Sequence, residues 1–392
     1  MTRTATSLVC PACGAAGLES FHIQDGVPTN SCLLVDDEDE ARRFPTGSMR
    51  LGFCPGCGFI ANTAFDPALT EYSERYEETQ AYSPRFQDFA RTLAPDWVDR
   101  HGLTGGTVVE IGCGKGEFLV MMAEAGIGRG IGIDPGVHPE RIDPRWDGTV
   151  TWIADTFDPR FGPIEADAVV CRHTLEHIAP VGDFVRLVRR SIGNRLDTAV
   201  LFELPDTTRV LDEVAFWDIY YEHCSYFTAG SLARLFAASG FQVDDVRYAY
   251  DDQYLLLEAR PVDGPGDGWS REDIAATSAG VDRFAAGYAG ITHDWTARVR
   301  AVAEAGGTTV VWGGGSKGVA FLTAVDAPIA AAVDINPHKQ GRFMAGTGHR
   351  VVAPAELVDL RPDLVVAMNP IYLDEIRADL ARLGLSPDVV AV

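Results

Sequence analysis

A glycine-rich turn between two apolar strands has the residue types that could hold a nucleoside. The turn reads Glu110-Ile-Gly112-Cys-Gly114-Lys-Gly116, and an acid, Asp134, ends the next apolar strand. Closely spaced glycines allow the backbone to turn sharply and to approach a ligand. At the carboxyl edge of a parallel sheet, an acid in the position of Asp134 can accept hydrogen bonds from both ribose hydroxyls. The motif therefore predicts a nucleoside site at the edge of an α/β sheet.

The spacing of the glycines indicates which nucleoside cofactor fits. A dinucleotide fingerprint reads G-x-G-x-x-G before a helix that faces pyrophosphate, whereas this turn reads E-x-G-x-G-x-G. The leading carboxylate of Glu110 would repel a pyrophosphate but suits the cationic amino-acid end of S-adenosylmethionine. A third acid, Asp155, follows the next apolar strand. We therefore predict S-adenosylmethionine as the cofactor.

Two close pairs of cysteines predict a metal site near the N-terminus. Cys10 and Cys13 form one C-x-x-C knuckle and Cys54 and Cys57 form another, each followed by glycine. Four thiolates are the donor set of structural zinc sites, which keep no position for water. A redox C-x-x-C would explain only one of the two pairs. We therefore expect structural zinc, with an acidic loop at 36–40 between the knuckles.

The composition excludes several classes of partner. The chain has 392 residues, with 33 Lys and Arg against 56 Asp and Glu, a net charge of −23. Nucleic acids and anionic membranes require cationic surfaces, so neither is an expected partner. No apolar run approaches the roughly 20 residues that span a bilayer, and the N-terminus lacks a signal-peptide core. We expect a cytoplasmic protein, monomeric or homodimeric, that acts on a small molecule.

The order of predicted elements indicates an α/β protein of several domains. Strands and helices alternate from about 106 to 260, which is typical of a doubly wound sheet. The last two strands, about 243–250 and 254–259, lack a helix between them and predict an antiparallel hairpin at the sheet edge. A linker rich in Gly and Pro at 261–268 precedes a long helix, about 271–305. The expected domains are a zinc-binding module at 1–75, a cofactor-binding core at 76–262 and a Rossmann-like domain at 263–392.

A second glycine turn complicates the choice of cofactor. Gly313, Gly315 and Gly318 fit G-x-G-x-x-G between a strand and a helix, and Asp334 follows at the distance typical of a dinucleotide site. Only about three strands are predicted in this unit, too few for both halves of a dinucleotide domain. A helix N-terminus that carries Lys317 can still hold a diphosphate.

Taken together, the predicted units resemble the sugar C-methyltransferases that act on nucleotide-diphosphate deoxysugars. That family combines a zinc-binding N-terminal segment, a class I methyltransferase core with a doubly wound α/β sheet, and a C-terminal Rossmann-like domain. Besides the knuckles and the first glycine turn, two stretches carry the resemblance. They are Tyr220-Tyr-Glu222-His223-Cys-Ser-Tyr-Phe-Thr228, and Gly315-Ser-Lys317-Gly with Asp334-Ile-Asn-Pro-His-Lys339-Gln-Gly-Arg342.

The resemblance implies roles for particular residues. Residues beside the transferred methyl group are His177, Tyr220, Glu222 and His223. Besides the glycine turn and Asp134, the expected cofactor-binding residues are Tyr76, Asp155 and Arg172. Asp155 matches the acid that lies near the adenine amino group in that family. Residues that hold the diphosphate of the substrate are Lys317, Lys339 and Arg342; as solvated surface cations these three would be unremarkable. One departure is His173-Thr-Leu-Glu-His177, which is closer to the general class I pattern than to the asparagine-containing version of the sugar enzymes.

Methylation of carbon requires a base and a donor to an oxyanion. A proton must leave a carbon next to a carbonyl, and the enolate that forms must be stabilised. We expect His223 as the base, oriented by Glu222 or a neighbour, with Tyr220 and His177 as hydrogen-bond donors. In the structural alternative, His177 caps the helix after the fourth strand and His223 belongs to an aromatic core.

Two other functions fit the same residues. The expected context of a sugar C-methyltransferase is antibiotic or surface-glycan biosynthesis. One alternative is methylation of carbon, oxygen or nitrogen in another small natural-product intermediate. The other is an NAD-binding protein that uses the turn from Gly313 to Gly318. Binding of S-adenosylhomocysteine or of NADH separates these alternatives.

Overall fold

The computed structural model describes residues 3–33, 35–70, 77, 79–80, 82–267, 270–271 and 273–392. Strands in these ranges form three sheets, one of five, one of seven and one of five strands. None of the helices in these ranges combines the length and the apolarity required to cross a bilayer.

The N-terminal part of the chain forms a small antiparallel sheet. Its elements are β1 (Thr4–Ala5), β2 (Glu19–Pro28), α1 (Glu38–Arg42), β3 (Thr46–Phe53) and β4 (Ile60–Asn62). The prediction of a loop at 36–40 is wrong in part, because α1 begins there. The side chain of Asp37 accepts a hydrogen bond from the Glu40 backbone N–H and caps this short helix.

The middle part of the chain alternates strands and helices, as predicted. Its elements are α2 (Pro84–Arg100), β5 (Thr107–Ile111), α3 (Glu117–Glu124), β6 (Arg129–Ile133), β7 (Val150–Ile153), β8 (Ala168–Arg172), α4 (Val181–Ile192), β9 (Ala199–Pro205), α5 (Thr207–Glu213), β10 (Ser225–Tyr226), α6 (Ala229–Ala238), β11 (Phe241–Ala249) and β12 (Tyr254–Pro261).

The seven-stranded sheet has the order β11-β12-β9-β8-β5-β6-β7. Strands β5 to β9 are parallel, and β12 is antiparallel to both of its neighbours. The predicted hairpin is therefore confirmed, with β11 at the edge and β12 inserted beside β9. From β5, the chain first adds β6 and β7 on one side and then β8 and β9 on the other. The strand order therefore reverses between β5 and β8, and a crevice opens at their carboxyl ends, where ligands bind in such sheets.

Apolar residues on both faces of this sheet explain its stability. All five residues of β8 are buried, as expected of a central parallel strand that is covered by helices on both sides. On one face, α2 packs Trp97 edge-on against Phe118 of α3, with ring centroids 5.7 Å apart. The side chains of Leu93 and Trp97 in α2 are both buried.

The C-terminal part of the chain forms a parallel sheet. Its elements are α7 (Asp273–Glu304), β13 (Thr309–Trp312), α8 (Ser316–Ala324), β14 (Ala331–Val333), β15 (Val351–Val352), α9 (Leu357–Leu360), β16 (Leu364–Ala367), α10 (Leu373–Arg382) and β17 (Asp388–Ala391). The order is β15-β14-β13-β16-β17. The expectation of about three strands is wrong, because β15 has two residues and β17 is a short edge strand at the chain end, so neither has a detectable apolar pattern.

Strand β10 and one isolated bridge connect the N-terminal sheet to the other two parts of the chain. This strand comes from the middle part of the chain but pairs with β4 and completes the N-terminal sheet. In addition, Val35 forms a bridge to Phe343 of the C-terminal part. The domain boundaries at 75 and 262 remain predictions.

Candidate active site

A large cavity lies where the carboxyl ends of the parallel strands of the seven-stranded and C-terminal sheets face each other. Its volume is about 930 Å³, and both glycine turns line it. Asp134 and Asp334, which follow β6 and β14, contribute from opposite sides. This volume is at the upper end of the range of roughly 300–1,000 Å³ for small-molecule sites.

In the first glycine turn, the backbone turns sharply and packs closely against its neighbours, as its sequence predicts. Gly112 and Gly116 have φ angles of 72° and 85°, in the left-handed region that glycine adopts most readily. A Cβ atom on Gly112 would overlap the side chain of Thr174, which follows β8. The turn therefore requires glycine for its conformation and for its contact with the neighbouring strand end.

Asp134 is held rigidly above this turn. Its Oδ2 accepts a hydrogen bond from the Gly114 N–H at 3.0 Å, and its Oδ1 accepts one from the Gly136 N–H at 2.7 Å. Burial raises the pKa of Asp134, and the two backbone donors oppose that effect. Since a carboxylate oxygen can accept more than one hydrogen bond, both oxygens can still receive ribose hydroxyls.

Glu110 and Arg172 present buried atoms of opposite charge beside the turn. Within the described ranges, Glu110 Oε2 and Arg172 Nη2 have no hydrogen-bond partner. Burial raises the pKa of Glu110 to about 8, although the Arg172 charge opposes this. Arg172 lies over the Phe118 ring, 3.9 Å from its centroid, and its Nε donates to Glu203 Oε2 at 2.6 Å. An ammonium and a carboxylate on one ligand, as in the amino-acid end of S-adenosylmethionine, would satisfy both orphaned groups.

The remaining predicted cofactor residues differ in what the structure shows. Asp155 lines the cavity and is about half exposed, and its Oδ1 accepts from the Thr156 N–H at 2.8 Å. Tyr76 lies outside the described residues.

The predicted catalytic residues Tyr220, His223 and His177 meet in the same cavity. The centroid of the His223 ring is 4.2 Å from that of Tyr220 and 4.8 Å from that of His177. His177 ends a short 3-10 helix, Leu175–His177, which follows β8. The Cys224 N–H donates to the Glu176 carbonyl at 3.0 Å, which holds the two segments together.

Burial sets the charge of these three side chains. It lowers the pKa of His177 and lowers that of His223 well below its ordinary value. It raises the pKa of Tyr220 well above its ordinary value. At neutral pH, both imidazoles are therefore uncharged and the phenol keeps its proton, so His223 can accept a proton while Tyr220 donates a hydrogen bond.

His223 was predicted to be oriented by Glu222 or a neighbour, and the structure gives the Glu222 carboxylate a different partner, Ser31. The Glu222 carboxylate is fully buried and accepts hydrogen bonds from the Ser31 N–H at 2.8 Å and from the Ser31 hydroxyl at 2.9 Å. A buried carboxylate requires donors, and Ser31 provides them in the N-terminal part of the chain. The Ser31 hydroxyl oxygen also lies 2.7 Å from the Ser316 hydroxyl oxygen, from which it can accept a hydrogen bond, and this contact connects Glu222 to the second glycine turn. The backbone carbonyl of Glu222, however, lies 3.1 Å from His177 Nδ1.

A charged cluster behind His177 was missed by the sequence analysis. His173 has a φ angle of 47°, unusual for a residue with a side chain, and its Nε2 lies 2.9 Å from Glu203 Oε1. Burial alone would lower the pKa of His173, but Glu203 and Glu176 raise it to about 9. Burial would raise the pKa of Glu203, yet Arg172 and His173 lower it to about 2. The H-T-L-E-H departure was the only sequence signal for this cluster, since Glu203 lies on another strand.

Two of the three predicted substrate cations line the cavity. Lys317 Nζ is 2.8 Å from Asp218 Oδ1, and Arg209 Nη2 donates to Asp218 Oδ2 at 2.5 Å. Lys339 Nζ is 3.8 Å from Asp334 Oδ2. Arg342 is not among the described residues that line the cavity; it pairs with Asp36 on the surface, so its predicted contact with substrate has no support in this geometry. Arg209 and Asp218 were missed because Arg209 lies in α5 and Asp218 ends a separate 3-10 helix, Phe216–Asp218, both far in sequence from Lys317.

The four knuckle cysteines converge as predicted. Their sulfur atoms all lie within 4.8 Å of one another, and the pairs Cys10–Cys57 and Cys13–Cys54 are 3.7 Å apart. The glycines after the knuckles have the same φ of 77°. The N–H of Gly14 donates to the Cys10 carbonyl, and that of Gly58 donates to the Cys54 carbonyl, so both knuckles have one conformation. This donor set can hold one tetrahedral metal ion.

Comparison with known proteins agrees with these features. The family model described as "Methyltransferase domain" matches residues 85–246, and that described as "C-methyltransferase C-terminal domain" matches residues 271–385. The C-methyltransferase NovU of Streptomyces niveus is 26% identical over 364 aligned residues, which cover 88% of this chain and 85% of that protein.

Several solved structures are similar to just under half of the chain. The 1,6-didemethyltoxoflavin N1-methyltransferase of Burkholderia thailandensis, solved with S-adenosylhomocysteine, is 20% identical over 46% of this chain and 82% of that chain, with a TM-score of 0.37. The RosA dimethyltransferase of Streptomyces davawensis is 21% identical over 45% and 56% of the two chains, with a TM-score of 0.36.

The family assignment rests on the two matched family models, together with the glycine turn and the order of the strands. It favours the methyltransferase prediction over the NAD-binding alternative. The chain is an S-adenosylmethionine-dependent methyltransferase of the class I fold, and it carries a C-methyltransferase C-terminal domain.

Proposed function

We propose that this enzyme methylates a carbon next to a carbonyl in a deoxysugar that is attached to a nucleoside diphosphate. One observation carries the proposal: a neutral imidazole, a protonated phenol and the cofactor turn share one cavity, and Lys317 and Lys339 also line that cavity. The similarity to a protein named as a C-methyltransferase supports the type of bond that forms.

The cofactor, when bound, supplies an electrophilic methyl group. Asp134 would accept the ribose hydroxyls, Glu110 would pair with the ammonium of the methionine end, and Arg172 Nη2 would receive its carboxylate. Asp155 would lie near the adenine. These assignments rest on the orphaned atoms of Glu110 and Arg172 and on the fixed orientation of the Asp134 carboxylate.

His223 is the proposed base, and Tyr220 is the proposed donor to the enolate oxygen. A neutral His223 takes the proton from the carbon next to the carbonyl, and the Tyr220 hydroxyl donates to the oxygen as negative charge develops there. Enclosure by the surrounding aromatic residues excludes water, which would otherwise reprotonate the carbanion. His177, with Nδ1 near the Glu222 carbonyl, fixes the other side of the same pocket.

The opposite end of the cavity is the proposed diphosphate site. Lys317 stands in the first turn of α8, a helix of nine residues whose N-terminus faces the cavity. Lys317 and Arg209 both pair with Asp218, and Arg209 also pairs with Glu213, so the charges balance and Lys317 is the cation that stands at the helix N-terminus. Together with the helix N-terminus it favours an anion such as a diphosphate.

Zinc is the proposed ion of the four cysteines. Soft thiolates prefer zinc, and a closed set of four leaves no position for a reacting water, so its role is structural. The first knuckle lies against the middle domain, since the Gly182 N–H at the start of α4 donates to the Pro11 carbonyl at 3.1 Å.

The direct test is incubation of the enzyme with methyl-labelled cofactor and a panel of nucleotide-activated ketosugars, free ketosugars and unrelated natural-product intermediates. Mass spectrometry should find label on a carbon next to the carbonyl of one nucleotide-activated ketosugar, and none on the free sugar. Label on an oxygen or nitrogen, or on an intermediate without a nucleotide, would contradict the proposal.

A further inference from the structure

Three metal-ligating side chains meet in the cavity, separate from the four cysteines. Each of Glu176, His177 and His223 offers one ligand atom, and these atoms lie within 4.8 Å of one another. We propose that these three residues form a second site, for a divalent transition-metal ion such as zinc or cobalt, and that the bound ion inhibits methyl transfer.

Glu176 is the strongest indication that a cation belongs here. Its side chain is only 3% exposed, and its Oε2 has no hydrogen-bond partner in the part of the chain that the structure describes. Leaving a carboxylate oxygen buried and unpaired is costly, and a cation in contact with it would remove that cost. Two imidazoles beside this oxygen make a transition metal a better fit than a hard cation such as Mg²⁺.

The groups around the three ligands are arranged as in metal sites. His177 Nδ1 lies 3.1 Å from the Glu222 carbonyl, which favours the tautomer with a proton on Nδ1 and directs the ring. Behind Glu176, His173 Nδ1 lies 3.7 Å from Glu176 Oε1, while its Nε2 lies 2.9 Å from Glu203 Oε1. Ligating imidazoles backed by carbonyls and ligating carboxylates backed by charged donors are the usual outer shell of a metal site.

A set of two imidazoles and one carboxylate leaves one coordination position open. All three residues line the cavity, so this position faces the space in which the substrate would lie. It can take water or a substrate oxygen, as in open zinc sites. The closed set of four cysteines differs in this respect.

Inhibition follows from the proposed function and depends on it. If His223 is the base, it requires the lone pair that a bound ion would occupy. Methyl transfer and metal binding would then compete for the same nitrogen. Binding itself does not depend on the reaction and can be measured without substrate.

The test uses the full chain with its cysteine site filled with zinc. Cobalt(II) is titrated into this protein while visible absorption and calorimetric heat are recorded. We expect one cobalt per chain beyond the zinc, with a visible band but without the thiolate-to-cobalt band of a cysteine site. Glu176→Gln and His177→Gln should each weaken binding at least as much as loss of an outer-shell partner does, about 10–100-fold.

His293→Gln is the matched control, because this histidine is exposed on α7 far along the chain from the three ligands. It should bind cobalt as the unchanged protein does. Thermal melting and S-adenosylhomocysteine binding confirm that each variant is folded. No visible band, a thiolate band alone, or unchanged affinity in Glu176→Gln would overturn the metal site.

Inhibition of methyl transfer by the bound ion is tested separately from binding. Turnover should fall along the same curve as cobalt binding, and full turnover at saturating cobalt would overturn inhibition. If no substrate is turned over in any condition, the proposed function fails, while the cobalt spectrum still decides whether the metal site exists.

Discussion

The two glycine turns have the same hydrogen-bonded framework but opposite charges around it. In the first turn, Asp134 accepts from the Gly114 and Gly136 N–H groups at 3.0 and 2.7 Å. In the second, Asp334 accepts from the Gly314 and Asn336 N–H groups at 2.9 and 2.8 Å. The sheets also share an order, since β7-β6-β5-β8-β9 corresponds to β15-β14-β13-β16-β17.

Corresponding positions of the two turns differ in charge. Glu110, four residues before Gly114, corresponds to Val310, and Glu117 at the start of α3 corresponds to Lys317 in the first turn of α8. The same backbone thus presents carboxylates on one side of the cavity and a cation on the other. A cofactor with an ammonium and a sulfonium suits the first turn, and an anionic diphosphate suits the second. Similar folds therefore do not imply similar ligands, because charged side chains at a few positions determine which ligand binds.

The largest expected effect is a loss of turnover on replacing His223, which lies between the two turns. His223→Gln should lower kcat by about 10²–10⁴-fold, because general-base catalysis contributes that much. Calorimetry should find the affinity for S-adenosylhomocysteine unchanged, since His223 does not belong to the first turn. Normal turnover in this variant would place the base elsewhere.

Replacing the acid of each turn by asparagine should show which ligand each turn binds. Asp134→Asn places an amide NH₂ against one backbone N–H and weakens the ribose contact. Its affinity for S-adenosylhomocysteine should fall about tenfold or more, as loss of hydrogen bonds to a charged group costs about 1.5–3 kcal/mol. Asp334→Asn is the matched variant, and calorimetry should find its cofactor affinity unchanged. Equal losses in both variants would show that the two turns do not divide the ligands.

A smaller effect is expected from the cation of the second turn. Lys317→Met should raise the KM for the nucleotide-activated substrate several-fold, roughly the value of one charge-assisted hydrogen bond, without changing cofactor affinity. Asp218 keeps its pair with Arg209 in this variant. Arg342→Met, which removes a surface cation outside the cavity, should leave the KM unchanged; a rise there would restore the predicted substrate role of Arg342.

The smallest effect concerns stability and pH. In the seven-stranded sheet, β8 is followed by His173, which pairs with Glu203 of β9. In the C-terminal sheet, β16 is followed by Asn369, whose neutral amide pairs with Gln253. The pKa of His173 is raised to about 9 in the folded protein, above the unfolded value of about 6.5. Its contribution to stability is therefore fully present below pH 6.5 and is lost as pH rises through 9.

Denaturant unfolding between pH 6 and pH 9.5 measures this contribution. The free energy of unfolding should decline over this range, and His173→Gln should flatten the decline. Asn369→Ala should shift the whole curve without changing its slope. An equally steep decline in His173→Gln would assign the pH dependence to another group.

Features that lie within one short stretch of sequence could be predicted. The turn at Gly112, the acid at Asp134 and the two cysteine knuckles each combine distinctive residue types at fixed spacing, and the structure brings each of them together. The alternation of strands and helices predicted the middle sheet for the same reason, since apolar periodicity is a local property.

Features that combine distant segments could not be predicted. Glu203 joins His173 only because β9 pairs with β8, and Asp218 joins Lys317 only because the second sheet faces the first. Glu222 was assigned to His223 because they are adjacent in sequence, but its carboxylate turns to Ser31 in another part of the chain. The strands β15 and β17 were missed because β15 has only two residues and β17 is a short edge strand that is at most half-buried.

Simultaneous binding tests the division between the two turns most directly. Uridine or thymidine diphosphate is titrated by calorimetry into enzyme that is saturated with S-adenosylhomocysteine, and the order is then reversed. Independent binding of both ligands is the expected result. Asp134→Asn should weaken binding of S-adenosylhomocysteine alone, and Lys317→Met should weaken binding of the nucleoside diphosphate alone. Mutual displacement of the two ligands would contradict the assignment of one turn to the cofactor and the other to the diphosphate.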